Sequence, residues 1–146
     1  METDGLIAAV ADHLRGVPGI VAVVLGGSRA AGTHTPASDI DIGVYYDDPT
    51  RFDLATLRAV AARLDDRHDP TVLTDLGGWG PWVNGGGWLS VNSQAVDLIY
   101  RDRARVNHFV AEAVAGRYEA YYQWGHPHAF LTTIYAAEIA TCRVQW

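Results

Sequence analysis

Apolar side chains recur at helical spacing over residues 3–15. Leu6, Ile7, Val10 and Leu14 line one face, and Gly16 followed by Pro18 ends the run. Residues 19–25 are short, β-branched and apolar throughout, the pattern of a strand covered on both faces. Gly26, Gly27 and Ser28 end it. In residues 39–46 isoleucine and valine alternate with Asp39, Asp41 and Gly43, which predicts a second strand. Asp53 then stands where it caps a helix carrying Leu54, Leu57, Val60, Ala61 and Leu64.

Residues 71–74 suggest a short strand. The segment after them holds Gly77, Gly78, Trp79, Gly80, Pro81 and Trp82, then Gly85, Gly86, Gly87 and Trp88, and so much glycine predicts a loop. Residues 88–91 and 94–100 read as an antiparallel pair turning at Asn92 and Ser93. Asp102 caps a helix with Val106, Phe109, Val110, Ala113 and Val114, closed by Gly116. Beyond Gly125, His126, Pro127 and His128, a last helical pattern holds Leu131, Ile134, Tyr135 and Ile139. The element order predicts an α/β fold, or α+β by a stricter count: a small mixed sheet with helices mainly on one face. One domain is expected over residues 1–146, with a core over about 1–116 and a helical extension over 117–146.

Composition narrows the function. The longest apolar stretch is far shorter than the roughly 20 residues that cross a bilayer, and no basic cluster precedes an apolar run near the start. Cys142 is the only cysteine, so no internal disulfide forms, and a soluble cytoplasmic protein is expected. The formal charge is −6 and the chain has no lysine. A protein this acidic is poorly suited to long nucleic acid, whose binding draws on basic side chains and counterion release. The missing lysine also removes Schiff-base chemistry and the P-loop amine.

The chemistry gathers around two short segments. Asp39 and Asp41 are one residue apart on a predicted strand, so both carboxylates project from the same face. Together they suit a hard cation, Mg²⁺ with Mn²⁺ as the alternative, which carboxylates commonly hold together with substrate phosphates. An ordinary pair of strand-end aspartates is the plain alternative. Upstream, the glycines of Gly26, Gly27 and Ser28 let the backbone approach a ligand, and successive N–H groups there form an anion-binding concavity with the Ser28 hydroxyl as a further donor.

Gly27 and Ser28, ten intervening residues, then Asp39, Ile40 and Asp41 closely resemble the signature of the DNA polymerase β-like nucleotidyltransferase superfamily. The resemblance covers roughly residues 3–100 in element order. It implies a nucleoside triphosphate bound by Gly26, Gly27, Ser28 and Arg29, and a third carboxylate on a later strand. Asp97 between Val96 and Leu98 matches that position; a salt bridge to Arg101 is its plain alternative. By resemblance Asp39, Asp41 and Asp97 are the catalytic and metal-binding acids, and transfer runs from the α-phosphorus to a hydroxyl of a small molecule or a protein.

Rival readings remain beside this one. Ser28, Asp97 and His126 stand in the chain order of a hydrolase triad, although that leaves Asp39 and Asp41 unexplained. The size and the ten-residue gap also match minimal nucleotidyltransferase antitoxins, which bind a partner toxin, and a domain that binds nucleotide without activity is a third reading. Trp79 and Trp82, lying between the second and third acids in sequence, are expected at the mouth of the site. Arg101 and Arg29 are candidates to steady a triphosphate. His126 and His128 more simply mark the entry to the last helix. An oligomer or a partner protein remains open.

Overall fold

The computed structural model describes residues 3–122 and 127–146. The chain runs α1 (Thr3–Arg15), β1 (Ile20–Leu25), α2 (Gly27–Ala31), β2 (Ile40–Tyr46), α3 (Leu54–Leu64), α4 (Gly80–Val83), β3 (Gly86–Val91), β4 (Gln94–Asp102), α5 (Arg103–Val114), β5 (Ala120–Tyr121), β6 (Phe130–Leu131), α6 (Ile134–Thr141) and β7 (Arg143–Val144). Five strands form one mixed sheet in the order β3-β4-β2-β1-β7. β2 and β4 run parallel at its centre, and the other pairs are antiparallel.

Alternation along the central strands sorts their side chains to two faces. Ile40, Ile42 and Val44 of β2 join Val96, Leu98 and Tyr100 of β4 in the larger core, which α1 and α3 cover through Leu6, Val10, Leu14, Leu57 and Val60. The sequence predicts helices mainly on one face, yet the other face also carries a pair. There Val24 and Tyr45 meet Val106 and Phe109 of α5 and Tyr135 of α6 in a smaller cluster.

Local capping follows the sequence closely. Asp53 accepts from the Thr56 N–H at 2.9 Å, and Asp102 from the Arg105 N–H at 3.1 Å. Asn92 and Ser93 make the hairpin turn with φ of 50° and 63°. Two expectations are corrected. The glycine-rich segment is not all loop: Gly80–Val83 is a short helix, and Gly86 and Gly87 already belong to β3. They lie so close to the Leu98 and Val72 carbonyls that any Cβ would overlap them, so here glycine permits strand packing. Residues 71–74 form no strand beyond a bridge from Leu73 to Gly87. β1 is covered on both faces, by Ile20, Val23 and Leu25 in the larger core and Val24 in the smaller cluster, with Val21 alone open to water.

Among the described residues of 117–146, only α6 is helical. β7 joins the sheet edge beside β1, and the Trp146 indole packs on the main core, its N–H donating to the Ala11 carbonyl at 3.0 Å. No helix among the described residues is long and apolar enough to cross a membrane.

Candidate active site

β1 ends at Leu25, and the chain turns at once into α2. The Gly26 N–H donates to the Asp41 carbonyl at 2.8 Å, which fixes the turn against β2. Gly27 adopts φ of +59°, in the left-handed region, and a Cβ on it would overlap the Asp41 carboxylate. Gly26 has no side chain to cap α2, so the first N–H groups of this helix, at Gly27, Ser28 and Arg29, have no partner within the helix. The expected Gly-Ser turn is therefore the opening of a short helix.

Arg29 makes contacts that its sequence position does not reveal. It is buried, and its guanidinium donates to the Asp39 carbonyl at 2.9 Å and the Ser38 carbonyl at 2.5 Å. Those bonds fasten the entry to β2, so Arg29 holds the aspartate segment in place through its backbone.

The acids come together through strand register. Asp41 and Asp97 are direct partners across the parallel β2–β4 pair and share the face opposite the main core. Asp39 lies two residues earlier on the same strand approach and is exposed. Partial burial, then the charges of Asp41 and Asp39, push the Asp97 carboxyl up to about 6. Asp41 is raised as well, by burial first and then by Asp39 and Glu138, against the pull of Arg29. Both guanidiniums nearest in sequence are committed elsewhere, which leaves this cluster short of positive charge.

A salt bridge from Asp97 to Arg101 is absent. Arg101, 5% exposed, donates to both Glu138 carboxylate oxygens at 3.0 and 2.6 Å and to the Val83 carbonyl at 3.2 Å. It ties α6 to β4 and has little capacity left for a triphosphate. Glu138 carries no sequence signal, because its partner lies on a distant strand. Below the acids, a cavity of about 230 Å³ runs between the sheet and α6, lined by Gly27, Asp41, Gly43, Tyr45, Arg101 and Glu138.

The donor set fits a hard divalent cation. Among the described residues no three acidic, histidine or cysteine side chains form a ready-made metal cage. Mg²⁺ commonly takes one or two carboxylates and completes its shell with phosphate and water, which is the role Asp41, Asp39 and Asp97 have the charge to fill.

The tryptophans divide differently from expectation. Trp82 stacks on Tyr121 and packs edge-on to Phe109, whereas Trp79 stacks on Trp88. Among the described residues no histidine bonds Ser28; His126, of the rival triad, lies outside them, and His128 is exposed.

A glycine turn thus stands beside paired carboxylates on neighbouring strands. The chain belongs to the nucleotidyltransferase domain family, whose model matches residues 7–110. Membership carries the general chemistry of nucleoside monophosphate transfer. The matched span ends within α5, so α6 and β7 lie beyond it. No curated protein matches the chain.

Proposed function

We propose that the domain transfers a nucleoside monophosphate from a nucleoside triphosphate, ATP being the first to test, to a hydroxyl of a small molecule or protein. The observation that carries this reading is the pairing of Asp41 with Asp97 beside the close-packed Gly27 backbone. Bound Mg²⁺, or Mn²⁺, supplies charge neutralisation for the triphosphate and the leaving pyrophosphate, with Asp39, Asp41 and Asp97 as its holders.

The chain's own groups account for the rest. The N–H groups of Gly27, Ser28 and Arg29 and the Ser28 hydroxyl orient phosphate oxygens. The cavity beneath Asp41 gives the nucleoside room on the α6 side. Asp97 accepts the proton of the acceptor hydroxyl while its oxygen bonds to the α-phosphorus; the bond from that phosphorus to the bridging oxygen breaks, and pyrophosphate departs with the electron pair.

Incubation with α-labelled ATP, CTP, GTP or UTP and a lysate, with and without Mg²⁺, tests the reading. Label on small molecules or protein bands, lost in EDTA and in Asp41→Asn, is expected. Label chiefly in RNA overturns the acceptor assignment. A second reading, a minimal antitoxin that binds a partner protein, draws on the exposed apolar side chains Tyr118, Leu131, Ile134 and Ile139 around β6 and α6. Co-purification with a partner in the absence of any transfer favours that reading.

A further inference from the structure

Trp88 lies on the edge strand β3, and its register partner on β4 is Asp97. Directly opposed residues of an antiparallel pair share a face, so the indole stands beside that carboxylate. It is 64% exposed, although Gly87 and Leu89 on either side are buried. An indole left this open beside an acid has apolar area to offer a ligand.

The ring is also held in place. Trp79 backs it, with ring centroids 4.7 Å apart and planes 25° from parallel. Arg67 donates to the Trp88 carbonyl at 2.7 Å and pairs with the fully buried Asp65 carboxylate, which itself accepts from the Ser90 N–H at 2.9 Å. Asp66 accepts from Ser90, Asn92 and Ser93 and pins the tip of the hairpin. A platform ordered before binding loses little entropy when a ligand arrives.

We propose that Trp88, backed by Trp79, seats the ring of a small hydroxyl-bearing acceptor and brings that hydroxyl to Asp97; the inference rests on the transfer reading above. Sugars and phenols share the chemistry required, an apolar ring face with a hydroxyl at its edge. The neighbouring acids and the absence of lysine select an uncharged or cationic ring over an anionic one. The substrates thereby occupy different sides of the acids: nucleoside toward α6, acceptor toward β3.

Saturation-transfer NMR on the full chain, with Mg²⁺ and a non-hydrolysable ATP analogue, tests this with two probes, methyl α-glucopyranoside and N-acetyl-tyrosinamide. The ring protons of at least one probe receive saturation in the wild type and in Trp88→Phe, and lose at least about fivefold of it in Trp88→Ala. The probe that responds tells sugar from phenol. Absence of both signals, or equal signals in Trp88→Ala, overturns the platform. Analogue binding is read by calorimetry on the same samples, with CTP, GTP and UTP analogues beside the ATP one: binding of none in the wild type overturns the transfer reading, whereas binding without any probe signal overturns the platform alone.

Discussion

The Gly27 backbone lies flush on the Asp41 carboxylate, so the glycine turn and the acid form one packed unit. Gly27→Ala places a methyl where that carboxylate sits and forces an alanine into positive φ, a strain of about 1 kcal/mol before any clash. Mg²⁺-triphosphate affinity falls by at least about tenfold while the far-ultraviolet circular dichroism is unchanged. Wild-type affinity in this variant refutes the coupling.

Asp97 makes stability depend on pH with a definite sign. Its folded carboxyl titrates at about 6, above the ordinary 3.8, so the native state holds the proton more tightly than the unfolded chain. That contribution is complete below about pH 4 and is lost as pH rises through about 6. The shift corresponds to about 3 kcal/mol, which solvent screening of a half-exposed carboxylate reduces to about 1. In EDTA, Asp97→Asn therefore melts about 3 °C above wild type at pH 8, with a smaller gap at pH 5. Thermal unfolding at both values checks this, and equal melting points at pH 8 contradict it.

The Arg101–Glu138 pair fastens α6 over the cavity. Glu138→Ala strands a buried guanidinium and costs about 3 kcal/mol in urea unfolding. The double variant Arg101→Met with Glu138→Leu recovers most of that loss, because stability needs the two side chains matched, not charged. A double variant no more stable than Glu138→Ala contradicts this account.

Arg29 acts on the acids through the backbone of Ser38 and Asp39. Arg29→Lys keeps the charge and loses the planar fork that spans two carbonyls. Mg²⁺-triphosphate binding weakens about tenfold, with a shallower dependence on Mg²⁺ concentration. A variant with normal Mg²⁺ dependence returns Arg29 to the direct phosphate contact suggested by its place in the sequence.

Local signals made much of this legible before the structure. Asp53, Asp102 and the Asn92-Ser93 turn act within four residues of themselves, and the alternation around Asp41 and Asp97 placed each on its strand. What the sequence leaves open depends on register and on partners far along the chain. Trp79, Trp82 and Trp88 have equivalent composition around them, and only the pairing of β3 with β4 brings Trp88 alongside Asp97. Arg101 finds Glu138 across the small core, and the two-residue β7 has no periodicity of its own to reveal it. Gly86 and Gly87 misled because a strand crowded by neighbouring carbonyls selects the same residue that a loop does.

Asp41 and Asp97 lie on parallel neighbours, which the chain can join only after α3, α4 and β3 have been laid down between them. The unfolded chain therefore holds no fixed acidic pair, and a ligand that bridges the two carboxylates recognises the folded state. Such a ligand acts by mass action as a folding chaperone: at a hundredfold excess over its dissociation constant it adds about 2.7 kcal/mol to stability. If triphosphate and divalent ion bind as proposed, their supply in a cell governs how long the protein survives proteolysis as well as how fast it turns over.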